Sequence, residues 1–193
     1  MLDFDPLTHI YTLDGVRIPS VTQVLKEAGL IDFSDVPKDR LDKACQRGKD
    51  AHSIIEEYSQ GLLSPEASWM YPEIHAWEAF CRDYGFKSEM QEYLCADPIL
   101  KVGFTIDQIG TIKDQRTIVD LKTGEKKIAD VIQVCGYGLL YPVKRLLILY
   151  ISGSRYKVVE IKGVDRIKGE NYFRSALTLY HLRQKEGLLC KEQ

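Results

Sequence analysis

Asp120-Leu121-Lys122 is the segment whose residue types and spacing point most directly to chemistry. It lies within a β-rich run from Thr117 to Gly124 that reads Thr-Ile-Val-Asp-Leu-Lys-Thr-Gly. A strand sends alternate side chains to opposite faces, so the carboxylate of Asp120 and the ammonium of Lys122 point the same way. Such a pair at a strand end can hold a divalent metal ion and steer a water molecule. The chemistry that calls for both is metal-dependent phosphodiester hydrolysis.

The pattern is weak by itself. With 28 acids and 16 lysines in 193 residues, chance supplies about two acid-x-Lys pairs. The chain has three: Asp120-x-Lys122, Glu125-x-Lys127 and Glu160-x-Lys162. Glu125 to Lys127 follows Gly124 in a polar stretch and reads as a solvated turn. Glu160 to Lys162 closes the apolar run Tyr156 to Val159 and is the rival on strand grounds.

The neighbours separate the two strand pairs. Asp107 lies on the preceding strand, and a hairpin through residues 110–115 lays it beside Asp120. Two carboxylates at adjacent strand ends suit Mg²⁺, which takes one or two carboxylates plus waters and phosphate oxygens. Glu92, one strand earlier, is a third acid, with Glu89 as its competitor. His52 falls on the apolar stripe of a helix, within the run Arg47-Gly48-Lys49-Asp50-Ala51-His52. A core histidine and a metal ligand are both consistent with that placement. Gly48 costs a helix interior about 1 kcal/mol relative to alanine, so a close backbone approach is expected there. Gln133 and Tyr137, four apart on the following helix, share a face. They read either as ordinary surface residues or as groups supporting the site and the substrate backbone.

These groups need a scaffold, and the chain's punctuation outlines one. Residues 9–13 and 16–18 flank Asp14-Gly15 as a hairpin. Ser20 and Gln23 form a capping box that launches a short helix ending near Gly29. A second helix runs from about Pro37 to Ser59, with Leu41, Ala44, Cys45, Gly48, His52 and Ile55 on one stripe. A third spans about Ser68 to Tyr84 and stops at Gly85. Strands follow at 88–95, 101–109 and 116–122, then a helix at 129–141, strands at 145–151 and 156–161, and a long amphipathic helix at 166–186. The helix between the third and fourth of these strands makes their step parallel. The expected class is α/β (α+β): a mixed central sheet of about five strands flanked by helices. One domain over residues 1–193 is expected, opening with a hairpin and helical segment over about 1–85.

Composition narrows the function classes. The net charge is −2, yet residues 1–100 carry −9 and residues 101–193 carry +7. The positive half holds the candidate site, as a polyanionic substrate requires, although a solvated basic face on helix 166–186 would give the same count. Five cysteines, Cys45, Cys81, Cys95, Cys135 and Cys190, show no Cys-x-x-Cys spacing. Buried thiols are expected rather than disulfides, a zinc cage or an iron–sulfur cluster. The apolar runs are too short to cross a bilayer, and the acidic start is unlike a targeting segment. A soluble intracellular protein with no membrane partner is expected.

The ordered set His52, Glu92, Asp107, Asp120-Leu121-Lys122 and Gln133-x-x-x-Tyr137 resembles the PD-(D/E)XK nuclease superfamily, specifically its RecB-like exonuclease branch. The Pro19-Ser20-Val21-Thr22 opening and Arg47-Gly48-x-x-x-His52 resemble its phage-type and mitochondrial genome-maintenance members. The likeness spans about Pro19 to Tyr141. It implies a restriction-endonuclease-like fold, with Asp107, Asp120, Lys122 and Glu92 catalytic. One or two Mg²⁺ or Mn²⁺ ions would be held by Asp107, Asp120, His52 and the Leu121 carbonyl. Gln133, Tyr137, Arg47 and Gly48 would support the site or the DNA. Single-stranded or end-containing DNA is the implied substrate and partner, with a recombination or replication protein as a further partner, in a bacterial or phage-infected cytoplasm. A structure-specific or site-specific endonuclease of the same fold and a catalytically silent DNA-binding subunit are the alternatives. Gly103-Phe104 stands where many relatives carry Ala-Gly, placing a bulky residue on the strand to Asp107.

Overall fold

The structure is a computed structural model that describes residues 1–6, 8–64, 66 and 70–189. Its centre is a five-stranded mixed sheet in which spatial order follows chain order. The strands are β4 (Lys87–Asp97), β5 (Val102–Ile112), β6 (Gln115–Lys122), β7 (Arg145–Ser152) and β8 (Arg155–Ile161). All neighbours are antiparallel except β6 and β7, which run parallel. That step is made by helix α4 (Ile128–Leu140), as a parallel connection demands. The expected mixed sheet of about five strands flanked by helices is the fold observed. A separate three-stranded antiparallel sheet joins β1 (Leu2–Asp5), β2 (Ile10–Leu13) and β3 (Val16–Ile18). Its first strand was not among the expected elements.

Local chemistry explains the boundaries. The Ser20 hydroxyl accepts from Gln23 N at 3.0 Å while Gln23 Oε1 accepts from Ser20 N at 2.9 Å, starting α1 (Val21–Glu27). The β5–β6 hairpin turns through Lys113 and Asp114, both at positive φ, the twist that favours tight hairpins. Gly85 at φ 63° closes α3 (Pro72–Tyr84). The expected start of that helix near Ser68 lies outside the described residues, as does Cys190.

The sheet separates two apolar clusters. On one face Phe104, Ile106, Ile118, Leu146, Ile148 and Tyr150 pack with α1, α4 and the C-terminal helix α5 (Gly163–Lys185). On the other, Val119, Leu121, Leu147, Leu149 and Ile151 meet Ile55 of α2 (Lys38–Ser59) and Ala76, Trp77 and Phe80 of α3. The alternation of β6 is therefore clean: Ile118 faces one way, Val119 and Leu121 the other. Helices α4 and α5 cross closely. A Cβ on Gly169 would lie 2.3 Å from Cys135 Sγ, and one on Gly136 would lie 2.9 Å from the Phe173 ring.

Two expectations are corrected. The apolar stripe along α2 packs only toward its C-terminal end: Ile55 is buried and His52 half-buried, while Ala44 and Cys45 are exposed. Its first half extends past the edge of the core, so periodicity there had no surface to meet. The thiols likewise differ from a uniformly buried set, since Cys135 is buried, Cys81 and Cys95 are half-buried and Cys45 is exposed. Among the described residues no helix is long and apolar enough to cross a membrane.

Candidate active site

The site forms where β5 and β6 part. Their ladder runs from Ile112 opposite Gln115 to Gln108 opposite Val119 and stops there, although the same register would next set Asp107 opposite Asp120. In place of ladder pairing, Asp107 Oδ2 accepts a hydrogen bond from Leu121 N at 2.6 Å. Ile106 and Ile109, three residues apart, both enter one core cluster, so the strand's alternation slips once at Asp107–Gln108. Across β4, Gln91 pairs with Gln108 and Tyr93 with Ile106, which puts Glu92 level with Asp107. Glu92 has φ 42°, a left-handed conformation that costs a non-glycine residue of order 1–3 kcal/mol and concentrates at functional sites.

His52 reaches this fork from α2. Its Nε2 lies 3.0 Å from the Leu121 carbonyl oxygen. A carbonyl only accepts, so Nε2 carries the proton and, in the neutral ring, Nδ1 is the bare nitrogen. Nδ1 lies 3.6 Å from both Asp107 Oδ1 and Glu92 Oε1. The ligating atoms of His52, Glu92 and Asp107 all fall within 4.8 Å of one another. Burial would lower the histidine's pKa, but the Asp107 and Glu92 carboxylates overcome it and hold it up at about 9. The imidazole thus carries a proton at neutral pH that a metal ion would displace.

Asp120 and Lys122 do emerge on one face of β6. Lys122 Nζ lies 2.6 Å from Asp120 Oδ2, so one carboxylate oxygen has its ammonium partner, while among the described residues no donor reaches the buried Oδ1. Burial pushes the Asp120 pKa up, to about 7, even against the pull of Lys122. Burial acts to lower the pKa of Lys122, yet Asp120 and Asp107 leave it raised, so the ammonium stays charged. A buried carboxylate oxygen without a donor is costly unless a cation completes it. Together with one imidazole nitrogen and two further carboxylates, it is a donor set that suits Mg²⁺ or Mn²⁺. Asp120 itself stands outside the tightest trio, turned toward Lys122.

The following helix backs this arrangement. Gln133 Nε2 donates to Tyr137 Oη at 2.7 Å. Tyr137 is buried, and its pKa is raised well above the usual range by burial and then by Asp120 and Asp107. Phe104, the bulky residue before Asp107, stacks on the Tyr137 ring at 5.9 Å. It therefore fills the core behind the site. Asp130 Oδ2 accepts from Lys127 N at 2.9 Å and from Tyr150 Oη at 2.8 Å, fixing the start of α4 beside Lys122.

Gly48 faces the Thr123 hydroxyl, but a Cβ there would meet Thr123 Oγ1 at 3.6 Å, an ordinary contact. The expected close backbone approach is not its reason. Arg47 is exposed and lines a cleft of about 690 Å³ whose lining includes none of the trio. Arg155, Lys157 and Tyr156, on the β7–β8 hairpin, share that wall. A second cleft, of about 340 Å³, lies by Lys122 and Gln133 and is lined by Phe33. Neither Phe33 nor the hairpin cations stood out in the sequence. Phe33 precedes a short turn at Ser34-Asp35, and an aromatic among turn residues was the available signal. The cations belong to a strand whose neighbours are set by register.

No family model matches the chain, and no curated protein matches it. Among the solved structures that match is the crystal structure of SSO0001, 18% identical, covering 67% of this chain and 70% of that chain at a TM-score of 0.35. Another is the crystal structure of LHK-Exo in complex with dAMP, 15% identical, covering 88% of this chain and 93% of that chain at a TM-score of 0.43. At these TM-scores neither likeness carries a functional argument. What the site can do is read from its own atoms.

Proposed function

We propose that this chain is a metal-dependent deoxyribonuclease of the RecB-like PD-(D/E)XK branch, removing nucleotides from DNA ends. The observation that carries the reading is the convergence of His52, Glu92 and Asp107 within 4.8 Å, with the buried Asp120–Lys122 pair at the adjoining strand end. Asp107, Glu92 and His52 Nδ1 would hold one Mg²⁺ or Mn²⁺ ion. Asp120 would complete the shell or hold a second ion. A bound ion lowers the pKa of a water and neutralises charge building on the scissile phosphate.

The chain's own residues supply the rest. The Leu121 carbonyl fixes the His52 tautomer through Nε2, so Nδ1 faces the acids. Lys122, kept charged by Asp120 and Asp107, offsets charge on the attacking or leaving oxygen, a contribution of about 10²–10³ in rate for a well-placed group. Tyr137, held by Gln133, closes the side of the site away from solvent. In the larger cleft Arg47, Arg155 and Lys157 outnumber Glu73 and Glu125, and these three cations would meet the strand's phosphates. A role in DNA recombination, repair or replication fits an end-trimming activity.

The test compares 5′- and 3′-labelled linear DNA with covalently closed circles, in Mg²⁺, Mn²⁺ or chelator. Wild-type protein should shorten linear DNA from an end, only with metal, and leave circles uncut. Cutting of circles at defined positions would turn the reading to an endonuclease. Metal-resistant binding without cleavage would turn it to a silent DNA-binding subunit.

A further inference from the structure

The 340 Å³ cleft beside Lys122 is lined differently from the 690 Å³ cleft with which it shares Gly124 and Glu125, where Arg47, Arg155 and Lys157 outnumber Glu73 and Glu125. Its floor is apolar, with Leu30, Ile31 and Ala129, and Phe33 forms one wall. Phe33 is 38% exposed although it is a large aromatic residue. The loop that presents it is internally fixed: Asp32 Oδ1 accepts from Ser34 N at 2.8 Å, and Phe33 O accepts from Val36 N at 2.9 Å. Lys127 Nζ lies 4.5 Å from the ring centroid, a cation–π contact that steadies the ring. The aromatic is therefore held at the cleft and does not collapse into the core.

The cleft's polar groups are mixed in sign. Asp32, Glu125 and Asp130 line it together with Lys122, Lys127 and the Gln133 amide. A phosphate would meet repulsion from the three acids, which outnumber the two lysines. A nucleobase is a better occupant, being neutral, flat on its faces and rich in donors and acceptors along its edge. The volume sits at the lower end of small-ligand sites, roughly 300–1,000 Å³, which fits one base and not a base pair. Resting on the nuclease reading, we propose that this cleft receives an unpaired base of the DNA strand, stacked on Phe33, next to the phosphate engaged at Lys122. The substrate at the site is then single-stranded, or a duplex end whose terminal base has been opened.

The test uses single-stranded oligonucleotides with phosphorothioate backbones, which resist cleavage, carrying 2-aminopurine near either end. Binding and quenching are read in Mg²⁺ for wild type and for the Phe33→Ala, Phe33→Leu and Phe33→Trp variants. Wild-type protein should quench the probe at one end. Phe33→Ala should lose the quench and weaken binding by roughly 5- to 150-fold, the range for one stacked base. Phe33→Leu, which keeps apolar bulk but no ring, should behave like alanine, and Phe33→Trp should restore both signals. Equal affinity and quenching in wild type and Phe33→Ala, with wild type still cleaving ordinary DNA, would overturn the base slot and leave the nuclease reading standing. A rescue by leucine equal to that by tryptophan would also overturn it, assigning Phe33 to loop packing. Wild-type protein that neither binds nor cleaves DNA would overturn the nuclease reading itself.

Discussion

Two strand ends in this molecule carry the same acid-x-Lys pattern and have opposite electrostatic fates. Asp120-x-Lys122 ends β6, a central strand with β5 and β7 on either side, whereas Glu160-x-Lys162 ends β8 at the sheet edge. The Asp120 side chain is 1% exposed, with Lys122 Nζ at 2.6 Å. Glu160 is 31% exposed, lies 3.6 Å from a largely solvated Lys162 and takes its closer partner, Arg145, at 3.0 Å. Burial pushes the pKa of Asp120 up. At Glu160 burial also acts upward, but Arg145 and then Lys162 bring it below its usual value. A dipeptide spacing therefore does not define a site. A central strand, a fork beside it and the acids of the next two strands do.

Hydrolysis should split the two pairs most sharply. Lys122→Ala and Asp120→Ala should each lower the rate of end-labelled DNA hydrolysis by about 10²-fold or more. Lys162→Ala and Glu160→Gln should leave it within a factor of about two. Equal losses at both strand ends would erase the distinction.

Stability should divide them next. Lys122→Met removes the partner of a buried carboxylate and should cost about 2 kcal/mol in urea unfolding at pH 8. That is less than the roughly 3–5 kcal/mol of a fully buried pair, because Lys122 is partly exposed and Asp120 can take up a proton. Lys162→Met should change stability by under about 0.5 kcal/mol, as expected for a surface ion pair.

The Asp120 pair was legible because β-strand alternation is a local rule, and the capping box at Ser20 and Gln23 was legible for the same reason. The hairpin at Lys113 and Asp114 set Asp107 beside the pair, so its placement followed from turn position. Other features depended on tertiary contacts. Ala44 and Cys45 have helical spacing on the stripe but are exposed. Strand β1 is short, and its register with β2 depends on a sheet only the folded chain assembles. The left-handed backbone of Glu92 arises where the β5 alternation slips, and no residue type announces it. Phe33 is an aromatic that the Asp32–Ser34 turn keeps out of the core.

Metal binding should show a pH dependence found only at the central site. His52 must lose a proton it holds up to about pH 9, and Asp120, raised to about 7, must ionise. Both requirements act in one direction, so Mn²⁺ affinity should rise from pH 6 to 9 and level off above. Calorimetry in buffers of different ionisation heat should detect the released protons. His52→Gln should flatten the upper part of the rise. An affinity independent of pH would contradict the geometry.

The smallest effect concerns Gly48. Since a Cβ meets only an ordinary contact at 3.6 Å, Gly48→Ala should stabilise α2 by about 1 kcal/mol in thermal or urea unfolding. A gain in stability together with weakened DNA binding would give Gly48 a role in substrate approach.

The most direct measurement is anomalous diffraction from crystals of the wild-type protein soaked in Mn²⁺. The expected result is a peak between Asp107 and His52 Nδ1, at about 2.0–2.3 Å from each ligating atom, and none at Glu160. A protein that hydrolyses DNA in the same Mn²⁺ buffer yet shows no peak in the His52–Glu92–Asp107 cluster would contradict the account.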